Sequence, residues 1–246
     1  MQNRYYNFIY NNEKKVVFTY VPKVACSNWK GIMRYLEGYE NYLDTTYAHN
    51  RKISGLTYLD QMPQKEDIIR DQTIRKLTCV RDPYSRALSA YLNKVESRML
   101  AKSNPKTRDH FFPIFENVEE YRATTLDQSK HPEVSFEVFL MWLDAKYSHY
   151  TQDEHWRSQT ELLCYDHVAY DFIGRFEKLS TDAQRILDKM GCDIGFPTQE
   201  EIRFSPMGTG TKMDEYYNER CFDLVEKIYS NDFANFSYPT ESGIKP

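Results

Sequence analysis

Residues 16–36 read VVFTYVPKVACSNWKGIMRYL, and two periodicities meet inside them. Val16 to Val21 is a β-branched and aromatic run stopped by Pro22, which predicts a buried strand. From Asn28 to Leu36 the apolar side chains Trp29, Ile32, Met33 and Leu36 recur at helical spacing, so strand, short loop and helix follow one another. The same order returns at residues 77–95, LTCVRDPYSRALSAYLNKV. Leu77 to Val80 reads as a strand ending at Arg81, Asp82 stands where it can cap a helix, and Pro83 takes that helix's first position. Asp171 to Phe176 (DFIGRF) reads as a third strand, and Ser180 as the cap of a helix running to Met190. Units of this kind predict an α/β fold, a mainly parallel sheet flanked by helices, with ligands bound beyond the carboxyl ends of the strands.

Asp67 to Lys76 can supply a further helix, Phe136 to Ala145 another, and Cys221, Leu224, Val225 and Ile228 form the apolar stripe of a closing helix. Residues 96–134, polar and charged around Phe111, Phe112 and Phe115, read as an insertion of the kind that recognises an acceptor. No repeat or jointed linker interrupts the 246 residues, so a single domain over 1–246 is expected.

Hydrophobic residues make up 41% and charged residues 28%, with 20 Tyr and 14 Phe, a composition that excludes disorder. No apolar run reaches the ~18 residues of a membrane span, and the first ten residues lack the zones of a secretory signal, so no membrane insertion is expected. Five scattered cysteines have no metal-like spacing and cannot all pair internally, which points to a reducing, cytoplasmic setting. The net charge of −4 argues against a nucleic-acid partner. It conceals a basic stretch, residues 64–108, with 11 Lys and Arg against 5 Asp and Glu.

Two loops carry the candidate chemistry. In the first, the helix start after Pro22 presents unpaired N–H groups and a partial positive charge to an anion. Lys23 adds a full charge, Ser27 and Asn28 add donors, and the small Ala25 and Cys26 let backbone approach a ligand. In the second, Arg81 closes a strand while Arg86 and Ser89 lie i, i+3 on one helix face, so three donors can converge on one phosphate. Neither loop has a Walker glycine pattern. The pair suits a nucleotide with phosphate at both ends.

The segments VPKVACSNWK and VRDPYSRALSAYLNK resemble the 5′-phosphosulfate and 3′-phosphate loops of carbohydrate sulfotransferases that use 3′-phosphoadenosine-5′-phosphosulfate (PAPS), especially the Golgi chondroitin/dermatan type. DEHWRSQTELLCYDHVAYDFIGRFEKL and EYYNERCFDLVEKIYSNDFANFSYP extend the likeness, in family order, from about Val16 to Tyr238. The resemblance implies a P-loop-like sulfotransferase fold that transfers a sulfuryl group from PAPS to a hydroxyl, on a glycan, and releases adenosine 3′,5′-bisphosphate (PAP). It implies that Lys23, Ala25, Cys26, Ser27, Asn28 and Trp29 hold the 5′ end, that Arg81 and Ser89 bind the 3′-phosphate, and that Phe176 lies near adenine. Lys212, in the loop Gly208 to Lys212, would touch the phosphates. His49 is the first candidate for the base, with His155 and Glu154 behind it, and Lys23 would neutralise the departing oxygen.

No metal-binding motif is visible, and a metal-independent reaction is expected. The Golgi relatives carry a membrane anchor and a cysteine soon after the one matching Cys164. Here neither is found, which implies a bare catalytic domain without that disulfide. Two other readings stay open: a P-loop-like kinase using ATP, and a noncatalytic glycan-binding module. Within the sulfotransferases, a phenol or small alcohol is the alternative acceptor.

Overall fold

The structure, a computed structural model, describes residues 4–99, 108–198, 200–202 and 209–241. In chain order the elements are β1 (Phe8–Asn11), β2 (Val16–Thr19), α1 (Cys26–Leu36), α2 (Thr45–His49), α3 (Lys65–Arg70), β3 (Arg75–Val80), α4 (Pro83–Tyr91), α5 (Ser97–Met99), α6 (Phe112–Thr125), α7 (Phe136–Asp144), α8 (Gln159–Leu162), β4 (Phe172–Arg175), α9 (Leu179–Met190), α10 (Thr209–Tyr216), α11 (Glu219–Ile228) and α12 (Ser230–Phe236). They form two compact units, residues 1–81 with 159–206, and residues 82–158 with 207–246.

The first unit holds the sheet, ordered β1-β2-β3-β4. β2 runs parallel to β3, with Val16 opposite Arg75 and Thr19 opposite Thr78, and β3 runs parallel to β4, with Val80 opposite Arg175. The three carboxyl ends therefore lie along one edge. β1 is antiparallel to β2, Phe8 opposite Thr19, and was not anticipated: FIYN is too short to alternate visibly, yet all four of its residues are buried. The sheet is covered on both faces, which is why VVFT has no polar side. Val17 packs with Phe8, Tyr10, Leu59, Ile68 and Ile69, whereas its neighbour Phe18 meets Trp29 of α1 at 4.7 Å between ring centroids. On the last strand, a Cβ at Gly174 would meet Ile186 of α9 at 2.9 Å, so the helix lies close against it.

Two expectations in this unit are corrected. The helix placed at Asp67 to Lys76 is shorter and earlier, Lys65–Arg70, because the Asp71 carboxylate accepts from the Thr73 amide and hydroxyl and turns the chain into β3. Ser180 is not a cap: α9 continues directly from a 3₁₀ turn over Phe176–Lys178, Lys178 takes the N-cap position, and Ser180 lies inside the first turn.

The second unit is helical. Ser135 caps α7 by accepting from the Val138 amide, and Phe136, Val138, Phe139, Leu140, Trp142 and Leu143 of that helix are buried. Tyr91 of α4 packs at a tilt against Phe136 and Phe139, and Trp156 lies edge-on to Phe139 and Trp142. The segment expected as an insertion contains the 14-residue α6, with Phe112, Ile114, Phe115, Val118 and Tyr121 buried. Phe112 and Phe115 thus build core, because helical spacing turns them to one side. Thr209 to Lys212, expected in a loop, open helix α10, and Gly208 lies outside the described residues. Among the described residues no helix is long and apolar enough to cross a membrane.

Candidate active site

Between β2 and α1 the backbone makes an uncommon turn. Lys23 and Ala25 both adopt left-handed conformations, at φ 70° and 51°, which costs a non-glycine residue roughly 1–2 kcal/mol. Ala25 is the N-cap of α1 and has no side chain to offer, and the first turn carries no acid. Among the described residues no side chain caps α1, and uncapped leading N–H groups of this kind can meet an anion. Lys30 is buried one turn on, its ammonium 3.9 Å from the centre of the Tyr20 ring.

The side chains around this turn divide into anchors and presenters. Trp29 is fully buried between Phe18 and Phe196, so its indole fixes the helix against the sheet. Asn28 donates through Nδ2 to the Pro197 carbonyl at 2.7 Å and ties the helix to the chain beyond α9. Ser27 Oγ lies 2.8 Å from Nε2 of His49, the last residue of α2. Two buried or half-buried arginines hold the segment around that histidine. Arg34 donates to Asn41 Oδ1 and the Ser54 carbonyl, and Arg51 lies between the Tyr6 and Tyr58 rings while paired with Asp60 at 2.5 Å.

Arg81 stands at the neighbouring strand end. Its Nη1 donates to the Lys23 carbonyl at 3.0 Å, and its guanidinium carbon sits 4.4 Å from the centre of the Phe176 ring. Its own peptide is bonded on both sides by Gln159, whose Oε1 accepts from Arg81 N at 2.9 Å and whose Nε2 donates to Arg81 O at 2.8 Å. The two basic loops of this unit are thus in direct contact.

The helical unit holds the other candidates. Asp82 caps α4 by accepting from the Ser85 amide, with Pro83 in first position, and Ser89 is buried on that helix. Arg86 does not present itself to a phosphate as expected. Buried at 2% exposure, it donates to the carbonyls of Arg157 and Glu154. His155 Nδ1 lies 2.6 Å from Asp153 Oδ1. Burial, with Lys94 nearby, holds the imidazole below its ordinary pKa against the opposing pull of Asp153 and Glu154. Lys212 is half-buried on α10.

The sequence pattern of a sulfotransferase family matches residues 6–239. The chain belongs to the sulfotransferase family. Mouse carbohydrate sulfotransferase 11 is 26% identical over 246 residues, 97% of this chain and 69% of its own length. Mouse carbohydrate sulfotransferase 14 is 30% identical over 95% of this chain and 60% of its own, and human carbohydrate sulfotransferase 9 is 29% identical over 94% and 53%. No solved structure gives a significant match.

In this sulfotransferase, the sheet unit brings together Lys23, Ala25, Cys26, Ser27, Asn28, Trp29, His49, Arg81 and Phe176, while Ser89, His155 and Lys212 belong to the helical unit. Phe176, anticipated beside a nucleotide base, supports the Arg81 guanidinium. Sequence reasoning missed Gln159 altogether, since a lone Gln ahead of Leu162 and Leu163 carries no pattern. It found His49 without its partner Ser27, a contact across 22 residues that no local signal announces. Chemically, a helix N-terminus, Lys23 and Arg81 concentrate positive charge at one sheet edge, and an imidazole borders it. That set can grip an anion and take a proton beside it.

Proposed function

We propose that this sulfotransferase takes PAPS as donor and a carbohydrate hydroxyl as acceptor. The bond from Arg81 Nη1 to the Lys23 carbonyl carries this reading, because it joins the two loops that a nucleotide phosphorylated at both ends requires. Lys23, Ser27 and the N–H groups that follow Ala25 and Cys26 bind the 5′-phosphosulfate. Arg81, backed by Phe176, binds the 3′-phosphate. Trp29 and Asn28 serve by holding α1 in place. The carbohydrate acceptor is supported by relatives named for carbohydrate transfer.

In the reaction the acceptor oxygen forms a bond to sulfur as the bond from sulfur to the bridging phosphate oxygen breaks. His49 accepts the hydroxyl proton at one ring nitrogen. Lys23 stabilises the negative charge that builds on the departing oxygen. Ser27, bonded to His49 Nε2, ties the base to the anion cradle and so supports this assignment. Positioning and charge stabilisation supply most of the rate, as in phosphoryl transfer. Since Lys23 and Arg81 supply cationic charge directly, turnover should survive a chelator.

A second base is favoured by one observation. The Asp153 carboxylate orients His155 as a triad acid orients its histidine. Calorimetry tests the donor: tight binding of PAP with negligible ATP binding is expected, and the reverse result would end the proposal. Transfer of labelled sulfate from PAPS to a panel of glycans, phenols and small alcohols tests the acceptor. His49→Ala and His155→Ala then separate the bases, since only loss of the true one removes turnover while leaving PAP affinity intact.

A further inference from the structure

We infer that Gln159 is a positioning residue for the donor site, its carboxamide fixing Arg81 at the end of β3 so that the guanidinium is preset for the 3′-phosphate. The inference rests on the donor reading above. The final rung between β3 and β4 pairs Val80 with Arg175, and that between β2 and β3 pairs Thr19 with Thr78. Arg81 lies beyond both, one residue past Val80, yet it is 8% exposed, so its peptide N–H and C=O need partners within the protein.

Gln159 supplies both from the first turn of α8. It accepts from Arg81 N at 2.9 Å and donates to Arg81 O at 2.8 Å, and it is itself 0% exposed. A primary carboxamide carries a donor and an acceptor side by side, as a peptide does, so it closes the same two-bond ring that a neighbouring strand would. Asparagine is a methylene shorter, a carboxylate lacks the donor, and an aliphatic chain has neither group. Fixing the peptide fixes the direction of the Arg81 side chain, which then lies between the Lys23 carbonyl and the Phe176 ring. An arginine set in this way loses little freedom when it meets its anion.

The test compares affinities of the full chain for PAP and for adenosine 5′-monophosphate, which lacks the 3′-phosphate, by calorimetry. Wild type should favour PAP, and Gln159→Met should lose roughly tenfold of that preference, the scale of one charged hydrogen bond. Gln159→Glu, which keeps the acceptor and loses the donor, should fall between. A purely structural role would lower the melting temperature of Gln159→Met but leave the ratio of the two affinities at the wild-type value, and that result would overturn the inference. Should the methionine variant not fold, the same ratio measured on Gln159→Glu decides. A wild-type protein without preference for PAP would sink the donor reading and this inference with it, so the two failures appear in different proteins.

Discussion

The chain turns from strand into helix at residues 20–26 and again at 80–83, and the two turns are built in opposite ways. At the first, the cap is an alanine in a left-handed conformation, with no side-chain acceptor and no acid in the first turn. At the second, Asp82 accepts from Ser85 N and Pro83 removes another donor, so the helix end is satisfied from within. One helix start has no side-chain cap, and the other has one. On the proposed reading an anion near the first would be met by backbone N–H groups and Lys23, whereas one near the second would be met by side chains, with Arg81 foremost. A nucleotide with two unlike phosphate ends fits that asymmetry.

The largest test of this contrast bears on the open turn. His49 is bonded to it through Ser27, so His49→Ala should lower kcat by about 10²–10⁴-fold, the usual share of a general base, with PAP affinity unchanged in calorimetry. Equal losses in kcat and in affinity would show that the histidine shapes the cradle and does not take the proton. Next comes Ala25→Asp, which would give the first turn a cap like that of the second. Aspartate tolerates the left-handed conformation, so the melting temperature should hold or rise. PAP affinity should fall by roughly tenfold or more, because the new carboxylate takes the N–H groups and repels the anion. An unchanged affinity would mean that the N–H groups of α1 do not bind phosphate.

Both turns were legible in the sequence, since Pro22 and the Asp82-Pro83 pair are local punctuation with local causes. The parallel order of the three later strands followed from repeating the unit. What stayed hidden is nonlocal. β1 is recognisable only by its burial against β2, and the aromatic run at Phe112 and Phe115 became core because α6 packs within the helical unit. Arg86 looked like a phosphate ligand by spacing alone, but the carbonyls it binds lie 68 and 71 residues away. Gln159 and Arg81 meet across 78 residues. Residue type and spacing disclosed which groups are charged, whereas only the fold determines which charges are already committed.

The closed turn predicts a smaller effect. Asp82→Ala should destabilise the protein by about 1 kcal/mol, the usual loss of a cap, read as a shift in the denaturant midpoint with an unchanged slope. The accompanying loss of PAP affinity should be less than that of Ala25→Asp. If affinity fell further than for Ala25→Asp, the helix start at Pro83 would also belong to an anion site, and the contrast between the turns would fail.

The smallest effect lies in the segment that α4 holds through Arg86, whose bonds to the Glu154 and Arg157 carbonyls flank His155. Burial keeps this imidazole below its ordinary pKa, helped by Lys94 and opposed by Asp153 and Glu154. The unfolded chain protonates the same histidine near pH 6.5. Between the folded value and that point the unfolded state binds more protons, so stability is fully present above about pH 6.5 and declines as pH falls. The slope from this one group is at most ~1.4 kcal/mol per pH unit. Asp153, pushed up by burial but held below its ordinary pKa by the side-chain bond, charge and amide of His155 together with Lys94, adds a loss of the same sign only in more acid solution. Denaturant unfolding between pH 7.5 and 5 should therefore show a decline in wild type that is shallower in His155→Gln. Identical slopes would mean that His155 is as easily protonated folded as unfolded, and that burial does not disfavour its charged form.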